Sequence, residues 1–396
     1  MVGSVVLVAV LMATVGTALA SGGIKLCVPK KEASAVITPK HGKCRKGYNL
    51  TGLDAGGREG KSGKPGAEGK AGPEGKSGSA GFSSSELETL KNLLPHIKYV
   101  GVGVGGKPTV QFSGVNVQIV NGEGKTASTN GRGNLVIGYD ENAAKHEQTG
   151  SHDLILGEEQ TFTSVGGIVA GWGNNVSGPF ASVTGGEDNT ASASRASVSG
   201  GSANIASGDW ASVSGGYANK ASASQTAVGG GAANSASYIN ASVSGGEGNT
   251  ADANAASVSG GESNTASASG SWIGGGRYNH AEAGFSSVSG GTGNNASGEG
   301  ASISGGQGNA AKASDSWVGG GFGNVTLGEW SGIGGGYENE SEAPAKYSWL
   351  GGGAENVASG ETTSISGGGG NIAKGRLSSI LGEKDKKAEK EFEAVL

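Results

Sequence analysis

The feature that most constrains this chain is a 15-residue repeat that occupies more than half of its length. The unit reads Ser-Val-Ser-Gly-Gly-x-x-Asn-x-Ala-Ser-x-x-x-Ala, and we number its positions 1 to 15 from Ser197. A unit this short cannot bury an apolar face by itself, so it has to stack on its neighbours. The repeat therefore predicts an all-β fold, a parallel β-solenoid or β-roll over residues 166–382.

The branched apolar residue at position 2 predicts the buried row of this solenoid. Because alternate side chains of a strand point to opposite faces, Ser-Val-Ser turns the apolar residue inward and the two hydroxyls outward. The spacing is 15 throughout except for one step of 17, which a two-residue insertion around Pro344 causes. The predicted row consists of Ile168, Val183, Val198, Val213, Val228, Val243, Val258, Ile273, Val288, Ile303, Val318, Ile333, Leu350, Ile365 and Ile380.

Position 8 is asparagine in every unit from Asn174 to Asn371. We expect this asparagine and the glycine pair at positions 4 and 5 to supply the positive-φ turns of the coil. Asparagines stacked in successive coils can also form an amide ladder that satisfies polar groups of the turns. Position 10 is mostly alanine, so one thin solenoid buries little apolar surface, which favours assembly of several copies.

Composition and charge exclude several classes of function. The chain has 81 glycines, 16% charged residues and a net charge of −5. A nucleic-acid-binding protein needs a concentrated basic face, which this chain lacks. Five scattered histidines (41, 96, 146, 152 and 280) form no catalytic pattern, and the glycine-rich runs lack the Lys-Ser/Thr of a phosphate loop. We therefore expect no enzymatic activity, no cofactor, no metal site and no nucleic-acid partner.

The N-terminus is typical of an export signal. Residues 5–15 are apolar, and Ala18-Leu19-Ala20 matches a small-x-small cleavage site. This predicts a signal peptide over residues 1–20, cleaved near Ala20, and an extracellular or cell-surface protein. The apolar run is shorter than a membrane-spanning helix, and no later segment is apolar enough, so we expect no transmembrane segment.

Residues 21–56 form a basic segment that contains the two cysteines of the chain, Cys27 and Cys44. In an oxidising compartment the two residues are expected to form a structural disulfide. A bond between chains of an oligomer is an alternative. A reactive or metal-binding pair is a further alternative, although only His41 lies between the cysteines and zinc normally needs four ligands.

From residue 57 to residue 81, glycine occurs at every third position. Only glycine fits at the axis of three wound polyproline-II chains, so this spacing predicts a short collagen-like stalk and with it a homotrimer. With few prolines and few triplets, the stalk needs a trimerising element beside it.

The segment 84–97 is the candidate for that trimerising element. Leu87, Leu90, Leu94 and Ile97 follow the spacing of a coiled-coil seam, which predicts a short trimerising helix. Pro95 is expected to end or kink this helix near Leu94. An amphipathic helix in a monomer is the alternative interpretation.

The parts on either side of the repeat are less regular. Residues 98–165 are interpreted as a β connector, with strands expected at 109–112, 115–120, 135–138 and 154–157. The last two strands look like early, irregular versions of the repeat that follows. Residues 383–396 are rich in Lys and Glu and are interpreted as a charged tail outside the solenoid.

The Ser-Val-Ser-Gly-Gly…Asn…Ala-Ser-Gly pattern resembles the head repeat of trimeric autotransporter adhesins (the YadA-like head). The resemblance covers roughly residues 130 to 382. The unit here is longer than in that family, and Gly-Gly stands where the family has Ile-Gly. The resemblance implies a left-handed parallel β-roll that trimerises side by side on a cell surface and binds host matrix or other cells.

Aromatic residues at two variable positions are the candidate ligand contacts. They are Trp210, Phe285 and Trp330 at position 14, and Tyr217, Phe322 and Tyr337 at position 6. These residues either bind a glycan, matrix or cell-surface protein or fill gaps between protomers. A trimeric adhesin-like surface fibre is the leading hypothesis for function. The alternatives are a purely structural sheath or matrix fibre and a monomeric ice- or surface-binding solenoid.

Overall fold

The computed structural model describes residues 24–29, 39–53 and 82–396. The predicted signal peptide (1–20) and collagen-like stalk (57–81) lie outside the described residues. The chain divides into two compact units, residues 1–117 and 118–396, which we describe separately.

In the first unit, strands Ile24–Pro29 and Tyr48–Leu53 pair in antiparallel fashion, with Ile24 opposite Leu53. Cys27 and Cys44 form a disulfide within the chain, with their Cα atoms 5.6 Å apart. Of the alternatives left open by the sequence, the structure therefore has the structural disulfide inside one chain.

A short helix follows at Ser84–Leu93. Ser83 caps it, because the Ser83 side chain accepts from the Glu86 N–H while the Glu86 carboxylate accepts from the Ser83 N–H at 2.7 Å. The α-helix ends at Leu93 and not at residue 97, because Pro95 cannot continue it; the chain passes instead into a 3₁₀ turn, Leu94–His96. Leu87 and Leu94 remain exposed, so their role in a trimer stays a prediction.

A two-stranded antiparallel sheet ends this unit. It pairs Ile97–Val100 with Thr109–Phe112, and a 3₁₀ turn at Val104–Gly106 lies between them. The strand expected at 109–112 is confirmed. The strand expected at 115–120 is wrong: this segment pairs with no other segment of the described residues, and alternating apolar residues form a strand only beside a partner.

The second unit is the predicted β-solenoid of about 17 coils, each about 15 residues long. Every regular coil contributes to three parallel ladders. Ladder A contains positions 1 and 2, ladder B contains positions 9 and 10, and ladder C is a single bridge at position 6. The fold class that the repeat predicts is confirmed.

Ladder A has 18 strands and ladder B has 16. The strands of ladder A are Leu135–Ile137, Leu154–Glu158, Ile168–Trp172, Ser182–Val183, Ser197–Val198, Ser212–Val213, Ala227–Val228, Ser242–Val243, Ser257–Val258, Trp272–Ile273, Ser287–Val288, Ser302–Ile303, Trp317–Val318, Gly332–Ile333, Trp349–Leu350, Ser364–Ile365, Ser379–Ile380 and Ala394–Val395. Those of ladder B are Thr161–Phe162, Asn175–Val176, Thr190–Ala191, Ile205–Ala206, Lys220–Ala221, Ser235–Ala236, Thr250–Ala251, Thr265–Ala266, His280–Ala281, Asn295–Ala296, Ala310–Ala311, Val325–Thr326, Glu340–Ser341, Val357–Ala358, Ile372–Ala373 and Lys387–Ala388.

The solenoid is longer at both ends than the predicted 166–382. At its start it includes the strands expected at 135–138 and 154–157, which confirms that they are irregular versions of the repeat and corrects their place from the connector to the solenoid. At its end, residues 383–396 form the last coil and not a tail. Ala388 and Val395 occupy inward positions 10 and 2 there, and most of the lysines and glutamates are exposed. Lys386 takes the place of the asparagine at position 8, where its N–H donates to Asn371 Oδ1, and is partly buried.

One residue of the predicted buried row is misassigned. Val169 and not Ile168 lies opposite Val183, and Ile168 is 37% exposed. The coil here is one residue shorter than the others between position 2 and the asparagine, so counting by 15 selects the wrong neighbour. Elsewhere the predicted row is buried.

The two-residue insertion is absorbed between ladders B and A without disturbing either. Ser341 still pairs with Ala358, and Ile333 still pairs with Leu350, although 17 residues separate each pair. The additional residues therefore lie in the outer turn that follows Ser341.

Candidate functional site

The asparagine ladder at position 8 is the polar half of the solenoid interior. Asn264 is fully buried, and its N–H donates to Asn249 Oδ1 at 3.0 Å. Its side-chain amide donates to the carbonyl oxygens of Gly260 (3.0 Å) and Gly276 (2.9 Å), which lie in its own coil and in the next. The predicted ladder is confirmed, and it ties each coil to both neighbours.

The asparagine does not supply the positive-φ turn, however. The positive φ angles lie one residue before it, as at Ala203 (57°), and at position 14, as at Trp210 (61°). The amide of position 8 has to point inward to make its ladder contacts, so the reversal of the chain falls on the residue before it. The second glycine of each pair has the expected positive φ, 84° at Gly201, and a Cβ there would collide with the Gly216 carbonyl oxygen.

The six predicted aromatic residues lie on two exposed edges of the solenoid. We call them edge 14 (position 14, from Phe180 to Phe392) and edge 6 (position 6, from Trp172 to Lys384). Trp210, Phe285 and Trp330 lie on edge 14, and Tyr217, Phe322 and Tyr337 lie on edge 6. All six side chains are exposed, from 41% at Phe322 to 72% at Phe285.

The sequence interpretation missed further aromatic residues on the same edges. Phe180 and Trp172 continue the 15-residue spacing toward the N-terminus, so counting could have found them. Tyr347 follows Trp330 on edge 14 after the 17-residue coil, and the insertion hides it from a count by 15.

Neighbouring side chains stack along each edge. On edge 14, Trp330 and Tyr347 have ring centroids 5.2 Å apart with planes 4° from parallel. On edge 6, Phe322 and Tyr337 stack at 5.3 Å. Since successive coils lie about 4.8 Å apart, aromatic residues in the same position of adjacent coils meet face to face.

A cation takes part in the same stack near the N-terminal end of edge 14. The Arg195 guanidinium lies 4.6 Å from the Trp210 ring centroid and 5.9 Å from that of Phe180. Such contacts contribute about 0.5–1 kcal/mol at exposed sites. They arrange Phe180, Arg195 and Trp210 as one continuous strip.

A third aromatic pair stands at position 1 on ladder A. Trp317 and Trp349 lie two coils apart, yet their ring centroids are 5.8 Å apart because both indoles lean over Gly332. A Cβ at residue 332 would lie 3.0 Å from the Trp349 ring and 3.5 Å from the Trp317 ring. Glycine at this position therefore allows the two indoles to approach.

The polar cluster at the start of the solenoid is structural. Asp153 Oδ1 accepts from the Gly167 N–H at 2.7 Å, while its Oδ2 has no partner, and burial raises the pKa of this carboxyl to about 6. His152 Nε2 accepts from the Asn121 N–H at 3.1 Å, which holds the preceding loop. Within residues 24–29, 39–53 and 82–396, no three His, Cys, Asp or Glu side chains cluster in a way that could hold a metal ion.

Among the helices described, none is long and apolar enough to cross a membrane. A scan against protein-family models finds no match, and a search of curated proteins finds no relative. The resemblance to adhesin heads therefore rests on the repeat pattern alone.

Proposed function

We propose that this chain is a secreted or cell-surface fibrous protein, assembled as a homotrimer, with an adhesin-like binding or structural role. The observation that carries the proposal is the pair of aromatic edges along the solenoid. The solenoid is about 80 Å long at about 4.8 Å per coil. Such a rod holds exposed side chains at fixed spacings over a long distance.

The aromatic edges distinguish this proposal from a purely structural fibre. The solenoid core needs none of these rings, since its regular coils are filled by position-2 aliphatics, alanines, asparagines and buried serines and threonines. Exposed aromatic groups on a soluble protein are typical of interaction sites. The rings therefore favour contact with a partner, whether a glycan, a matrix protein, a cell-surface protein or another copy of the chain.

An ice- or surface-binding function is less well supported. It would use the outward serines of ladder A as a regular hydroxyl array, such as Ser242 and Ser257, whose Oγ atoms lie 3.1 Å apart. Trp272, Trp317 and Trp349 interrupt that array with bulky rings. A flat array of hydroxyls is therefore lost over the C-terminal half of the solenoid.

The test is the mass in solution of the secreted chain by sedimentation equilibrium, for the full chain and for a version without residues 24–97. We expect a trimer for the full chain. A trimer in both forms assigns assembly to the solenoid, and a trimer that becomes a monomer on truncation assigns it to the stalk and helix. A monomeric full chain would contradict the proposal.

A further inference from the structure

We infer that edge 14 of one solenoid packs against edge 6 of a second copy that lies beside it, parallel and at the same height. This inference rests on the proposed assembly and names the surfaces that would form it. Three independent features of the described residues support it: a backbone cost, a coincidence of height and a complementarity of charge.

The first feature is the backbone at position 14, where the corner of the coil has a positive φ in aromatic and small residues alike, as at Ala255 (54°), so a bulky ring there costs the fold of one chain energy. Phe180, Trp210, Phe285, Trp330 and Tyr347 all have φ between 54° and 61°. Bulky residues avoid this left-handed region, whereas glycine adopts it freely. The same position is glycine at Gly270 and Gly300, so the solenoid accepts the unstrained residue. Strain of this kind is typical of functional positions.

The second feature is that aromatic residues occur on both edges at similar heights, about half the rise of one coil apart. Positions 6 and 14 are about half a coil apart, so residues seven or eight apart differ in height by about 2.4 Å. Each aromatic residue at position 6 or 7 has an aromatic residue at position 14 within half a regular coil. The pairs are Trp172 with Phe180, Tyr217 with Trp210, Tyr278 with Phe285, Phe322 with Trp330 and Tyr337 with Tyr347, the last pair being ten residues apart because the two-residue insertion lies between them.

Contacts inside one chain do not account for these pairs. The aromatic pairs that stack in the described residues each stay within one position of the repeat, and none joins edge 6 to edge 14. A rotation about an axis parallel to the solenoid moves a copy sideways without changing heights. Each of these five rings at position 14 then lies beside an aromatic ring at position 6 or 7 of the next copy, as in the heterologous contacts that build closed rings.

The third feature is an acidic residue on edge 6 in the coil where edge 14 carries its one cation, Arg195. Arg195 lies eight residues after Glu187 of edge 6, with Asp188 beside it. Arg195 and Glu187 are both exposed, and among the described residues neither belongs to an ion pair. Parallel copies in register place the guanidinium of one copy beside the carboxylate of the next, and opposite charges that differ in height by only about 2.4 Å favour that register.

The experiment is site-directed cross-linking in the full chain. A variant with Glu187→Cys and Arg195→Cys is treated with a short bismaleimide, while the disulfide of Cys27 and Cys44 leaves no native thiol. We expect covalent multimers of the chain on a reducing gel. The matched control joins Arg195→Cys with Glu247→Cys, which is also exposed on edge 6 but four coils away, and should give at least about tenfold less multimer.

A second pair of variants tests the aromatic contacts in the cross-linking background. The double variant Trp210→Gly with Trp330→Gly removes two rings from edge 14, so the rate of cross-linking should fall at least about tenfold. Because glycine also relieves two strained φ angles, the thermal midpoint of the solenoid should not fall. Tyr238→Ser removes an aromatic ring that is 51% exposed but lies on neither edge, and should leave the rate unchanged.

The inference is overturned if both cysteine pairs cross-link equally while the full chain still sediments as a trimer; the proposed assembly then stands without these surfaces. A monomeric full chain contradicts both proposals. If the double glycine variant loses binding to a glycan array while its cross-linking is unchanged, the edges bind saccharide and not a second copy.

Discussion

Replacing Asn264 by alanine tests whether the amide ladder holds the coils together. Asn264 has no exposed surface, and its side chain makes three hydrogen bonds. The two N–H groups of Nδ2 donate to Gly260 O and Gly276 O, and Oδ1 accepts from the Asn279 N–H at 3.0 Å. Alanine removes all three and leaves the Asn279 N–H buried without an acceptor.

The expected cost follows from those contacts. Each lost bond between neutral groups destabilises by about 1 kcal/mol, and an orphaned buried N–H costs about 1–3 kcal/mol. We expect the local free energy of unfolding to fall by roughly 4–6 kcal/mol. Asn264→Asp should be at least as damaging at neutral pH, because a carboxylate oxygen then faces the carbonyls of Gly260 and Gly276.

The measurement is hydrogen exchange at the amide of Asn279 and its neighbours, since repeat proteins open coil by coil and a single midpoint would average the effect. Ser259→Ala is the matched control: its side chain is an exposed hydroxyl at position 3 of the coil that contains Asn264. Exchange at Asn279 should accelerate by at least about a thousandfold in Asn264→Ala and change little in the control. A change below about 1 kcal/mol in Asn264→Ala would refute the reasoning.

Two further predictions concern backbone and charge. Gly261→Ala should destabilise the solenoid by more than about 2 kcal/mol, because φ is 90° at this residue and a Cβ would collide with the Gly276 carbonyl oxygen. Gly260→Ala is the control and should cost far less, since a Cβ there has its nearest contact at 4.0 Å. Equal shifts of the urea midpoint in the two variants would contradict this prediction. Burial raises the pKa of the Asp153 carboxyl to about 6, above the value of about 3.9 in an unfolded chain. The folded state therefore binds the proton more tightly than the unfolded state does. The free energy of unfolding should fall by up to about 3 kcal/mol as pH rises from about 4 to 6. Asp153→Asn should remove that dependence in urea titrations across this range, and an unchanged profile would show that other groups cause it.

The sequence was sufficient to predict most of the interior of the solenoid. Val198 and Asn204 recur every 15 residues, and identical side chains stack in register when the coil has the same length. The insertion near Pro344 could also be predicted, since the apolar row of position 2 and the asparagine row of position 8 both resume after the same step of 17 residues. The disulfide of Cys27 and Cys44 was one of the alternatives that the two cysteines allowed.

The candidate site was predicted only in part. The aromatic residues stood out at positions that are elsewhere small or polar, which identified Trp210 and Tyr217. The backbone strain at the aromatic residues of position 14 could not be predicted, because the sequence pattern does not show that this position has a positive φ. Tyr347 was missed because its place on edge 14 depends on how the chain absorbs the insertion.

The sequence by itself determined the stacked, parallel architecture. A strict 15-residue repeat allows one register in which every apolar residue of position 2 packs against the equivalent residue of the next coil. The tertiary structure decided the ends of the solenoid, the choice of Val169 over Ile168 and the residues that make the corners. Those features depend on which carbonyl or amide lies within reach in the adjacent coil. The charged residues 383–396 therefore fold as a last coil, because Ala388 and Val395 pair with Ala373 and Ile380 of the preceding coil.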